Sequence, residues 1–274
     1  MIPRPQALAA VVLATAVLSA CARPALQLPS GPAEPLADPT PVLEAALGHC
    51  AGIRTLTAEV SLSGRAGRQK LRGRLLTGLA EPASIRLEGL APFGAPMFIL
   101  AASPSQSVLL LPRDDRVLRN EPPPEILAAL AGIRIEPDDL RAYMAGCPGD
   151  APAIAGARRF GESWVAVDLP DEGVAYLRHT EAWRLVAVER SGLRVVFEQW
   201  SANQPGRIRL QSTESGGASA FDLSLRLSQV ERNVDLPANA FTVDVPDDTL
   251  PITLEELRQA GPMRDDAARD RTSR

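Results

Sequence analysis

Aromatic side chains are scarce in this chain of 274 residues, at 4% against 45% hydrophobic residues in all. Any large apolar interior must therefore be aliphatic. Histidine is rarer still: only His49 and His179 occur, and neither has the neighbours of a metal site or a triad. There is no H-E-x-x-H, no C-x-x-C, no G-x-S-x-G elbow and no glycine-rich phosphate loop. The acidic pairs Asp114-Asp115, Asp138-Asp139 and Asp247-Asp248 each fall at a turn or helix start, where Asp serves backbone hydrogen bonding. These absences point to a protein that is not an enzyme, with no catalytic residue, metal or cofactor. A net charge of -4 gives no reason to expect nucleic acid. The apolar run over 7–18 is shorter than the roughly 20 residues of a spanning helix.

What is present begins with that run. Arg4 precedes it and the small residues Ser19 and Ala20 follow, the layout of a secretory signal over 1–20. It closes on Leu18-Ser19-Ala20-Cys21, which resembles the bacterial lipobox. That resemblance implies cleavage before Cys21, lipidation of its sulfur and acylation of the new amino terminus, more than the single chain that gives only marginal anchoring. Ordinary secretion with a chance cysteine is the alternative. Ala22 in place of Asp favours the outer membrane, with the protein on its periplasmic face. The proline-rich stretch 21–40 reads as a tether. Cys50 and Cys147 then remain, either as a disulfide in an oxidising compartment or as two buried thiols.

Thr40-Pro41 predicts a helix start with Thr40 as cap, running to about Cys50. The period then changes to two. Alternation predicts strands over 56–63, 71–79, 85–88, 97–101 and 108–111, and again over 164–168, 174–177, 183–189, 193–200, 207–211, 221–230 and 241–245. Between the two sets, 122–146 carries two short amphipathic helices, with Ile126 and Leu130 on one and Leu140 and Met144 on the other, the second behind Asp138 and Asp139 as cap. Residues 262–274 are charged and aperiodic, and read as a disordered tail. A domain over 41–261 results, mainly β with a helical insertion. Its aliphatic sheet face needs a cover, and three short helices are few for it. Either the sheet curls into a barrel filled by its own side chains, or it stays open over an apolar cavity.

Three stretches resemble one family. "EILAALAGIRI" with "LRAYMAGCPGDA" (140–151) looks like the helical lid of the LolB outer-membrane lipoprotein receptors. "IRLEGLAPFGAPMFIL" (85–100) looks like two of their strands and the loop between, and "VERNVDLPANAFTVDVP" (230–246) is similar to the last strands of the wider LolA/LolB-like superfamily. The resemblance implies an unclosed antiparallel half-barrel with a helical lid over a cavity for acyl chains. It also gives Phe93 in the Pro-Phe-Gly loop the protruding role that delivers lipoproteins into the membrane. Read from the residues alone, Phe93 equally well folds back onto Leu90 to cap the sheet edge.

The cavity wall is expected to include Leu56, Val60, Ile85, Leu87, Met97, Ile99, Leu223 and Leu225, roofed by the four lid residues named above. The basic hairpin with Arg65, Arg68, Lys70, Arg72 and Arg74 offers charges that suit lipid phosphates at a surface, but a solvated turn that keeps an edge soluble is the reading preferred from the residues. The functional expectation is a monomeric, lipid-anchored receptor that takes acylated lipoproteins from a LolA-like periplasmic carrier and inserts them in the outer membrane. A lipid-anchored scaffold of the envelope, with a filled interior, is the alternative.

Overall fold

Alternating apolar residues from Thr55 onward build a single antiparallel sheet in the computed structural model, which describes residues 26–91, 93, 95–149, 154–170, 172–213, 220–237, 239–261 and 263. The signal segment 1–20, Cys21, the first tether residues, Pro92, Gly94 and the tail from 264 lie outside the described residues. In chain order the elements are β1 (Glu34–Pro35), α1 (Thr40–Leu47), a 3-10 turn (Gly48–Cys50), β2 (Thr55–Ala66), β3 (Gln69–Ala80), β4 (Ser84–Leu90), β5 (Phe98–Ser103), β6 (Gln106–Leu111) and β7 (Arg116–Arg119). Two lid helices follow, α2 (Pro123–Ala131) and α3 (Pro137–Met144). The second meander comprises β8 (Gly156–Phe160), β9 (Trp164–Asp168), β10 (Val174–His179), β11 (Trp183–Arg190), β12 (Leu193–Ser201), β13 (Gln204–Ser212) and β14 (Phe221–Arg232), and the chain ends with β15 (Leu250–Pro251) and α4 (Leu254–Ala260).

The two meanders join where β14 pairs with β2, giving 15 strands in the order β1-β8-β9-β10-β11-β12-β13-β14-β2-β3-β4-β5-β6-β7-β15. The ends of this sheet do not meet, so the barrel is unclosed. Among the described strands, only β15 runs parallel to its neighbour, β7. Strict alternation sends Leu56, Val60 and Leu62 of β2, Leu75 and Leu79 of β3 and Leu223, Leu225 and Leu227 of β14 to the inner face. Each fully buried Leu or Val stabilises the fold by about 1.5–3 kcal/mol. Among the described residues, those from Pro32 onward form one compact unit that contains this entire core, so a chain starting at residue 26 keeps every core contact.

Several expectations are corrected. Thr40 is the first helical residue of α1 instead of its cap, and the Asp38 carboxylate accepts from Thr40 N at 3.0 Å. Part of the tether is ordered: Glu34 and Pro35 pair with Arg159 and Arg158 at the sheet edge. Residues 241–245 form no strand; next to and within them, the Ala240 and Thr242 carbonyls accept from Arg86 Nη1 on the outer face of β4 instead of pairing at a sheet edge. Met263, placed in the disordered tail by the sequence pattern, is buried at 3% exposure. Helix α4 carries a full capping box, Thr253 with Glu256, and ends at Gly261 in the left-handed region (φ +51°). That T-x-x-E signal was readable in the sequence.

Candidate functional site

Beneath the lid lies a cavity of about 60 Å³. Its floor is the inner sheet face, with Val60, Leu62, Leu75, Leu87, Phe98, Leu210, Leu223 and Leu225; its roof is Leu127, Leu130, Ile133, Ile135, Leu140 and Met144; Met263 closes one side. Of the residues expected to form the wall and roof, Val60, Leu87, Leu223, Leu225, Leu130, Leu140 and Met144 stand on the lining. Leu56, Ile85 and Ile126 are buried in the same core away from the cavity, and Met97 packs against it only partly buried.

Ile99 is a correction. Phe98, Leu100 and Ala102 take the inner positions of β5, which leaves Ile99 on the opposite face. Phe98 pairs with Gly89, and a Cβ on Gly89 would come within 2.4 Å of the Phe98 ring, so glycine is what lets the ring lie inside. Thr77 is the one polar side chain on the lining; it is 5% exposed, and its hydroxyl has no hydrogen-bond partner among the described residues. An orphaned buried hydroxyl costs about 1–3 kcal/mol.

Helix α3 is held by polar bonds along its whole length. Arg141, 1% exposed, donates through Nε to Ile53 O (3.2 Å) and through Nη2 to Glu81 Oε1 (3.1 Å), and pairs with Asp138. Asp138 itself accepts from Ala83 N at 3.0 Å; it therefore ties the helix to the β3–β4 turn and does not cap it. At the other end, Gln204 Nε2 donates to Met144 O (2.9 Å), Arg232 Nη2 to Ala145 O (3.1 Å), and Cys147 is bonded to Cys50. Burial, followed by the charge of Asp139, pushes the Tyr143 phenol up to about 12, so it stays neutral. Burial, aided by Arg232, holds the His49 imidazole below its ordinary value. His49, Cys50 and Cys147 place three ligand-type atoms within 4.8 Å of one another, but the two sulfurs bond each other and leave one imidazole.

Phe93 projects from the loop between β4 and β5 at 87% exposure and does not fold back onto half-buried Leu90. Arg113, in the β6–β7 turn, braces this loop by donating to Ala95 O (3.1 Å) and to Phe93 O. Two larger surface clefts, about 390 and 480 Å³, lie against the outer sheet face and along β7 and β15. Both have mixed polar linings and neither is covered by the lid. The lining residues outside the expected wall and roof are Leu62, Leu75, Thr77, Phe98, Leu127, Ala131, Ile133, Ile135, Leu210 and Met263. The alternation through Phe98 was a usable signal, whereas an isolated Met in a charged tail carries none.

No protein-family model matches the chain, and no curated protein matches it. Solved structures do. A LolA superfamily protein from Nitrosomonas europaea is 12% identical, with 76% of this chain and 99% of that chain covered at a TM-score of 0.51. A DUF1329 family protein from Desulfovibrio piger is 10% identical over 71% and 92% of the two chains, with a TM-score of 0.46. The lipoprotein LppX of Mycobacterium tuberculosis is 9% identical over 73% and 99%, with a TM-score of 0.31. The first of these establishes the fold, an open antiparallel barrel of the LolA type.

Proposed function

We propose that this protein is a lipid-anchored carrier that binds the acyl chains of lipoproteins beneath its lid and passes them to the outer membrane, without catalysing a reaction. The observation that carries this reading is the cavity between sheet and lid: every lining residue but Thr77 is apolar, and Thr77 presents a hydroxyl that the protein leaves unpaired. The ester or amide carbonyl at the head of an acyl chain would satisfy that hydroxyl, and the wall would take the tail. Burial of methylenes at about 0.8 kcal/mol each supplies the driving force, so transfer from a LolA-like carrier through this site into a bilayer needs no nucleotide. Cys21 as the anchor and Phe93 as the membrane-facing tip complete the LolB-type reading.

At about 60 Å³ the cavity is too small for an acyl chain as it stands. That is about two waters' share of liquid volume, well below the roughly 150 Å³ that admits benzene. Acyl-chain entry therefore requires the lid to move. The same small volume favours a second reading, a tethered scaffold with a filled interior that carries no lipid.

Titrating a fluorescent fatty acid into the chain of residues 26–274, in buffer without membranes, separates the two. Saturable binding that Leu223→Glu weakens at least tenfold supports the carrier. A folded protein with no binding leaves the scaffold. Turnover of an added ester would replace both with an enzyme.

A further inference from the structure

The basic hairpin of β2 and β3 stands apart in a chain of net charge -4: the stretch "GRAGRQKLRGR" (64–74) has no acidic residue. Alternation places its charges on one face. On β2 the core takes Val60 and Leu62, so Arg65 points outward; on β3 it takes Leu71 and Leu75, so Lys70 and Arg72 point outward; on β14 it takes Leu225 and Leu227, so Arg226 points outward too. All four are exposed, as is Arg68 at the turn, and none forms an ion pair with another described residue.

Keeping an edge soluble does not explain this face. Lys70 and Arg72 do lie on a stretch of β3 beyond its last pairing with β4, at Arg74 and Leu90. But Arg65 stands on β2, paired on both sides by β3 and β14, and Arg226 on β14, paired on both sides by β13 and β2. Neither has an edge to protect. Arg65 is moreover directly opposite Lys70, a like-charged cross-strand pair that destabilises the hairpin. Asp222 stands directly opposite Arg65 on β14, but its carboxylate is taken by Arg209 through two bonds, at 2.7 Å from Nε and 2.5 Å from Nη2. The cations of this face are therefore left without ion pairs of their own among the described residues.

Its position supplies the reason. β2 and β4 run in the same direction, so the β2–β3 turn and the loop carrying exposed Phe93 project from one end of the sheet. The turn also reaches the lid, since a Cβ on Gly132, just after α2, would lie 2.9 Å from the Ala66 Cβ. We infer that this cationic face, with Arg65, Lys70, Arg72 and Arg226, docks on a bilayer surface bearing anionic headgroups and orients the Phe93 end and the adjacent lid toward the membrane. The inference rests on the carrier reading for its purpose, but its test is separate, because fatty-acid binding is measured without membranes.

The test is partition of residues 26–274 onto vesicles of phosphatidylcholine alone or with about one-third phosphatidylglycerol, at low and physiological salt. Each cation near an anionic bilayer contributes about fivefold in partition. Changing Arg65, Lys70, Arg72 and Arg226 to Gln is expected to lower partition on anionic vesicles at least about tenfold, to the level on neutral ones. A charge-keeping control, Arg65→Lys with Arg72→Lys and Arg226→Lys, is expected to retain it, and thermal unfolding monitors folding in both. Three results overturn the inference: equal partition on the two vesicle types, undiminished partition of the glutamine variant, or binding to soluble polyglutamate with no partition onto vesicles. Loss of binding in millimolar inorganic phosphate at constant ionic strength would mark a free-phosphate site and overturn it as well.

Discussion

The two lid helices cover the same cavity but are fastened differently. α3 is fixed at both ends: Arg141 and Asp138 tie it to Glu81, Ile53 and Ala83, while Gln204, Arg232 and the Cys50–Cys147 bond secure its far end. α2 meets the sheet through the apolar side chains Ile126, Leu127 and Leu130, and the one ion pair at its surface, Glu125 with Arg134, stays within the lid. Its entry is fixed only just upstream, where Ser107 Oγ donates to Glu121 O and Asn120 N to Ser107 O. Apolar contacts are non-directional and re-form on another apolar surface, such as a ligand's tail. Hydrogen bonds and disulfides do not. On the carrier reading, α3 is therefore expected to act as the fixed post of the lid and α2, which also packs against α4, as its moving leaf.

The largest expected effect removes the post. Replacing Cys50 and Cys147 by Ser opens a loop with a sequence separation of 97, and chemical denaturation should show a loss of about 2–5 kcal/mol. A change under 1 kcal/mol would place the hold on α3 elsewhere. Next is Arg141→Met, which strands Asp138 and Glu81. Both carboxylates retain some water, so the expected loss is about 2–3 kcal/mol, at the low end for a broken buried pair. Hydrogen exchange compares the helices directly: amides of α2 should exchange at least about tenfold faster than those of α3. Equal protection would erase the distinction and require the whole lid to move as one.

Two smaller effects sharpen the picture. Thr77→Val, which removes the orphaned hydroxyl under the leaf, should stabilise the ligand-free protein by about 1 kcal/mol. Thermal unfolding measures that gain, and weaker fatty-acid binding by the same variant would tie the hydroxyl to the ligand. His49, beside the pinned end of α3, has its folded pKa lowered by burial and Arg232 from 6.5. The unfolded chain thus binds the proton more readily, so its contribution is full above the unfolded value and declines as pH falls below 6.5 toward the lowered folded value. The melting temperature should drop over that window, and less so in His49→Gln.

Much of this arrangement is legible in the residues. Period-two alternation locates most of the strands and, through Val60, Leu87, Leu223 and Leu225, part of the cavity floor. The apolar stripes of the insertion locate both lid helices. Alternation fails where the strand boundary is ambiguous, as at Ile99, whose register depends on Phe98 fitting over Gly89 across β4 and β5. It also fails at 241–245, where a good strand pattern is held by Arg86 on the outer sheet face instead of at an edge.

What the sequence determined by itself is local: which segments are extended, which are helical, and which face of each is apolar, because side-chain periodicity and turn chemistry act over a few residues. Only the tertiary structure decided that β14 pairs with β2 to join the meanders, that Cys50 meets Cys147, that Met263 seals the cavity, and that Arg226 joins the cations of a distant hairpin. Those outcomes come from contacts between residues far apart in the chain. Their selection depends on how the whole sheet curls, which no local pattern encodes.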